Sequence, residues 1–133
     1  MKKLLSLSLL MLVLALLPSC GKEKDEPSGS SLEGTSWIRE VSGTNNYLIL
    51  EFSSSSKVEG YVADSSGNPL YSRSEGSYKL ENKTVTFSGF SVKYVTFVEN
   101  FTSADIAGNY MKVRSWWEMA GVKYENSVIF TKQ

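Results

Sequence analysis

No histidine occurs among the 133 residues, and cysteine occurs once, at Cys20. The first absence removes the commonest general base and the commonest metal ligand. A lone cysteine cannot close an intramolecular disulfide, so stability has to come from a packed core. Neither a GxxxxGK[ST] nor a GxGxxG pattern is present, which leaves nucleotide chemistry without support. Lysine and arginine together number 14 and are matched by 14 aspartates and glutamates, so no basic excess points to nucleic acid. Long apolar runs are also scarce. Leu4 to Leu17, broken by Ser6 and Ser8, would reach only roughly 21 Å as a helix, against a hydrocarbon core of roughly 30 Å.

That run follows Met1-Lys2-Lys3 and ends at Leu17-Pro18-Ser19-Cys20. A short basic start, an apolar stretch and small residues read as a cleaved secretory signal. Residues Leu17 to Cys20 resemble a bacterial lipobox, with Pro18 a less usual occupant. The resemblance implies that residues 1–19 are removed and that Cys20 becomes the N-terminus, carrying a diacylglyceryl thioether and usually a third acyl chain. At about 0.8 kcal/mol per buried methylene, several chains hold a protein durably where one does not. The expected partner is therefore a membrane, reached through lipid on Cys20, and the only thiol is lost as a nucleophile. Cleavage leaves twelve basic against fourteen acidic residues, a net charge of −2.

Residues 20–31 form the expected lipidated tether. From Gly21 to Ser31 the sequence GKEKDEPSGSS contains no large apolar residue. Its typical span, at about 5 to 6 Å times the square root of its length, is on the order of 18 Å. Lys22-Glu23-Lys24-Asp25-Glu26 resembles the acidic export signal of surface lipoproteins in the Bacteroidota, which implies the outer face of the outer membrane. Plain solvation of a linker at the periplasmic face is the alternative.

Residues 32–133 are expected to be one all-β domain. Strand patterns cover Ser36 to Val41, Tyr47 to Phe52, Val58 to Asp64, Leu70 to Leu80, Thr84 to Phe87, Val92 to Val98, Thr102 to Ile106, Tyr110 to Met119 and Val122 to Thr131. Glu81-Asn82-Lys83 and Ala120-Gly121 are among the clearest turns between them. Short links imply antiparallel neighbours. Alternation turns Leu48, Leu50, Phe52, Val85, Phe87, Met111, Val113, Ser115, Trp117, Val128 and Phe130 to one side, leaving each strand one wet face. Eight or nine such strands must close on themselves or pack as two sheets. Hairpin-length links favour an antiparallel up-and-down barrel, with a β-sandwich as the alternative.

Leu32-Glu33-Gly34-Thr35-Ser36-Trp37, Gly76-Ser77-Tyr78 leading into Val85-Thr86-Phe87, a late strand at Met111 and terminal Val128-Ile129-Phe130 resemble the small lipocalin-like lipoproteins of the Bacteroidota. In lipocalins a Gly-x-Trp lays the indole across the barrel floor; here Gly34-x-x-Trp37 is one residue longer. The resemblance, with the aromatic and small inward residues, implies a non-enzymatic binding protein for a small apolar or amphipathic molecule or a glycan fragment; a monomer without a cofactor is expected. Phe52, Tyr78 and Trp117, with small inward Gly60, Gly76 and Ser115, are the candidate ligand-binding residues.

Adjacent Trp116 and Trp117 must face opposite sides of a strand. Trp116 shares its face with Tyr110 and Arg114, a candidate surface for another envelope protein; an Arg or Lys stem covering the indole is the competing reading. The carboxylates from Glu40 to Glu125, Glu99 among them, read as solvated surface, so no acid pair for a hydrolase stands out. Asp64-Ser65-Ser66-Gly67-Asn68 lacks the alternating acids of a calcium loop and reads as a turn; no metal site is expected.

Overall fold

The computed structural model describes residues 31–133. The signal, Cys20 and all of the tether up to Ser30 lie outside the described residues. Every described element is a strand: β1 Ser36–Glu40, β2 Tyr47–Phe52, β3 Lys57–Ala63, β4 Ser74–Glu81, β5 Thr84–Ser88, β6 Ser91–Lys93, β7 Val98–Ala107, β8 Tyr110–Met119 and β9 Val122–Lys132. Strands β1 to β5 pair antiparallel in chain order, and so do β7, β8 and β9. The cylinder closes twice, where β5 meets β7 at Val85 and Ala104 and where β9 returns to β1 at Ile38 and Thr131. The result is a closed eight-stranded up-and-down barrel with β6 added beside β7.

Strand direction sorts the connections into two ends. The floor holds the start of β1, the hairpins after β2, β4 and β7, and the C-terminus; the mouth holds the connections after β1, β3, β5 and β8. Two hairpins show why their turns form where they do. Asn82 (φ 57°) turns the chain at the floor, and Ala120 (φ 51°) with Gly121 (φ 80°) turns it at the mouth, the positive φ values that two-residue hairpin loops require.

Leu48, Leu50, Phe52, Val58, Val62, Tyr78, Val85, Phe87, Met111, Val113 and Phe130 fill the interior, as alternation predicts, and Leu32 and Trp37 join them. Trp37 sits near the floor with its indole N–H donated to Thr35 Oγ1 at 3.0 Å, and Thr35 in turn donates to the Leu32 carbonyl at 2.6 Å. An eight-stranded barrel is just wide enough for side chains to fill. Here the chain between β5 and β7 also enters the interior. Phe90 and Val92 press against Gly60 of β3 and Gly76 of β4, so close that a β-carbon on either glycine would overlap them. Gly60 and Gly76 therefore receive β6 and its flank, while Ser115 faces Glu99 of β7.

Three features differ from the alternation pattern. Strand β4 starts at Ser74 instead of Leu70, because residues 64–73 fold back over the outside of β3, with Leu70 N–H bonded to the Val62 carbonyl and Pro69 bridging to Ala63. That loop brings Arg73 to 4.1 Å over the Tyr61 ring and into a 2.9 Å ion pair with Glu51, so Ile49 and Tyr61 are buried on the face expected to be wet. The expected strand Val92 to Val98 breaks after Lys93, where Tyr94 N–H bonds to the Phe97 carbonyl, and β7 begins at Val98.

Candidate functional site at the barrel mouth

Glu99 of β7 overturns the expectation that it is solvated surface: it is only 1 % exposed and points into the barrel. Its carboxylate accepts hydrogen bonds from Arg39 Nη2 at 2.7 Å, from Tyr94 Oη at 2.7 Å and from the Ser115 hydroxyl. Arg39 also donates to Tyr94 Oη at 3.1 Å, and its guanidinium lies 5.5 Å from the centre of the Phe130 ring. Arg39 Nε is buried with no partner. A carboxylate this deep is tolerated because charge and three donors replace the water it loses. Strand β1 supplies Arg39, β7 Glu99, β8 Ser115 and the turn after β6 Tyr94, so the network exists only in the closed barrel.

Burial, reinforced by the Glu99 carboxylate and partly opposed by Arg39, drives the Tyr94 phenol far above its ordinary 10.0. The unfolded chain loses that proton above about pH 10 while the folded protein keeps it, so stability falls as pH rises past that point. Tyr94→Phe should flatten this alkaline loss. Urea midpoints at about pH 9 and about pH 11 check it, since the change between the two values, not the midpoint at either, isolates the proton.

Above the network the barrel wall is uneven. The β1–β9 pairing ends at Ile38 and Thr131, and a cavity separates Arg39 and Glu40 of β1 from Val128 and Ile129, so the seven residues Val122–Val128 continue up the barrel without a β1 partner. At about 3.3 Å per residue those seven residues rise roughly 23 Å. With β8, β7 and β6 they form a flap over one side of the mouth. Its inner face carries a row of aromatic rings. Tyr94 stacks on Phe97 at 4.6 Å, Phe97 meets Trp117 at 5.5 Å, and Trp117 stacks on Tyr124 at 5.8 Å with 15° between planes. Leu70, Tyr71, Val95, Val98, Met119 and Val122 are exposed in the same mouth connections and flap, Val95 at 77 %. An open groove of about 690 Å³ runs between residues 69–74 and Lys93–Val95.

The three expected ligand-binding residues are divided by this geometry. Phe52 and Tyr78 lie in the core toward the floor, edge to face at 4.8 Å, with the Tyr78 hydroxyl donated to the Ser54 carbonyl at 2.6 Å. Trp117 stands at the mouth, half-buried among Phe97 and Tyr124. Of the expected outer surface, Arg114 and Trp116 share a groove of about 480 Å³ beside the β7 bulge between Phe101 and Ser103, while Tyr110 is at the floor end of β8. Arg114 is held by Asp105 at 2.8 Å and by Ser103 at 2.9 Å, and Lys123 Nζ sits 4.8 Å from the centre of the Trp116 ring. A lysine head therefore covers part of the indole. Asp64 is a turn residue, accepting the backbone N–H of Ser66 and of Asn68 at 2.9 Å each.

Arg39, Tyr94, Phe97, Glu99 and Tyr124, none of them among the expected site residues although Tyr94 and Tyr124 belong to the domain's abundant aromatics, build most of the mouth. The inward phase of Arg39, two residues after Trp37, was the available signal for one of them. Comparison with protein-family models, curated proteins and solved structures gives no match to this chain.

Proposed function

We propose that the protein is a non-enzymatic binding lipoprotein that captures a small amphipathic molecule, a glycan fragment or an apolar molecule with a polar head, against the flap at the barrel mouth. The row Tyr94, Phe97, Trp117 and Tyr124 carries this reading, because it offers flat apolar faces beside a polar cluster at the open end. Phe52 and Tyr78, filled in by neighbouring rings, support such a site from below instead of lining it. Lipid on Cys20 would hold the protein to the outer membrane, at the cell surface by the acidic residues that follow it. The domain chain begins at the floor, so the mouth lies at the end away from the tether. A second reading, docking of an envelope protein, rests on the groove of about 480 Å³ that Arg114 and Trp116 share, with Lys123 over part of the indole.

Native mass spectrometry of the full chain, purified from its membrane in detergent, tests the leading reading. A non-covalent small-molecule adduct is expected on the wild type, lost in Trp117→Ala. Absence of an adduct, together with tryptophan fluorescence unmoved by oligosaccharides and fatty acids, would overturn it.

A further inference from the structure

The rise of β9 beyond β1 leaves a strand edge with no neighbour among the described residues. Lys132 N–H bonds across to Asn109 at the foot of β8, whereas Gln133 N–H bonds the other way, to Ser36 of β1. Backbone groups alternate sides along an antiparallel strand, so even-numbered residues of β9 bond β8 and odd-numbered ones face β1. Above the end of β1 the odd residues are Lys123, Glu125 and Ser127. Ser127 N–H is met by the side-chain Oδ1 of Asn126 at 3.1 Å. Lys123 and Glu125 are left with both backbone groups directed outward. The stretch Val122 to Glu125 is exposed, and Val122 and Tyr124 add apolar surface to it.

We infer that this edge pairs with the same edge of a second copy of the chain, antiparallel about a two-fold axis at Tyr124. Closed two-fold pairing is the commonest way identical chains associate, and pairing removes the hazard of an open edge. Charge selects the register. An axis at Tyr124 sets Lys123 opposite Glu125 twice and closes four backbone hydrogen bonds. An axis at Glu125 sets that carboxylate against itself, and an axis at Lys123 does the same with the ammonium; like charges directly opposite destabilise a pair. An axis at Asn126 needs the Ser127 N–H that Asn126 already holds. The pairing joins two four-stranded flaps into one sheet and sets Tyr124 beside Tyr124, each backed by its own Trp117. It departs from the monomer expected from sequence and does not depend on the ligand reading.

Sedimentation velocity of the full chain in density-matched detergent tests the pairing. Wild type should run as two copies and Lys123→Glu as one, because the change places carboxylates opposite each other at both positions. Lys123→Glu with Glu125→Lys restores opposite charges across the axis and should restore two copies. Circular dichroism confirms that each variant is folded. A wild type that runs as one copy, a Lys123→Glu variant that remains paired, or a folded double variant that stays single would each overturn the inference. A micelle gathering two copies without contact falls in the second case, since it ignores the charge at Lys123. Mild oxidation gives a further arm: Tyr124→Cys should yield a covalently linked pair, as residues on the axis of a non-hydrogen-bonded pair stand about 4.5 Å apart between α-carbons. Lys79→Cys, on the opposite wall of the barrel, should not.

Discussion

Glu99→Ala should destabilise the folded domain by about 3–5 kcal/mol, the usual cost of removing one partner of a buried ion pair. The loss comes from what remains. Arg39 already has one nitrogen without a partner, and without the carboxylate its guanidinium is left charged beside Phe130 in the barrel interior. Tyr94 and Ser115 each lose their acceptor at the same time. Equilibrium urea unfolding followed by circular dichroism reads the change as a lower midpoint at unchanged slope. The companion variant separates pairing from burial. Arg39→Met with Glu99→Leu removes both charges and refills the volume, and should recover the part of the loss that comes from the stranded guanidinium, while Tyr94 and Ser115 stay without their acceptor. If Glu99→Ala cost less than about 1 kcal/mol, in the range of an exposed pair, the carboxylate would not be buried in solution.

Gly76→Ala is the second large effect, at or above the upper end of the roughly 1–3 kcal/mol of ordinary overpacking. A β-carbon there meets the Phe90 β-carbon and comes within 2.7 Å of the Phe90 α-carbon, so the obstacle is main chain. Moving it means displacing the segment that leads into β6. Gly60→Ala makes the informative contrast. Its β-carbon meets Val92 Cγ2 at 2.7 Å and Phe90 Cζ at 2.8 Å, atoms of buried side chains that have to repack in the core but carry no main chain with them. Alanine also loses less entropy than glycine on entering a strand, by roughly 0.5–1 kcal/mol. Gly60→Ala should therefore cost clearly less than Gly76→Ala in the same unfolding measurement. Equal costs would mean that β6 does not sit against Gly76 as described.

Both variants concern features that differ in how far they were legible. Gly60 and Gly76 were readable as small inward residues from their phase within the strands. What filled them was not, because Phe90 and Val92 belong to a connection whose path no periodicity describes. Glu99 and Arg39 were harder still. Each charged side chain sits near a strand end, where exposure is the ordinary outcome, and the two lie 60 residues apart in sequence. Trp117 was legible as inward but not as separate from Phe52 and Tyr78, because alternation assigns a face and says nothing of height along the barrel.

By itself the sequence determined that the domain is all-β, that its strands are antiparallel neighbours and which residues turn inward, Glu99 excepted; Ile49 and Tyr61 face outward as alternation has them and are buried there by the loop over β3. Those properties follow from local rules: a two-residue period, short links and turn residues that accept positive φ. Only the tertiary structure decided that eight strands close while a ninth flanks them, that a carboxylate is buried at the mouth, and that β8 and β9 outgrow β1 to leave an aromatic flap whose edge has no neighbour among the described residues. Closure brings together residues far apart in the chain, and the relative lengths of neighbouring strands decide which backbone groups stay unpaired. Neither quantity is written into any single segment.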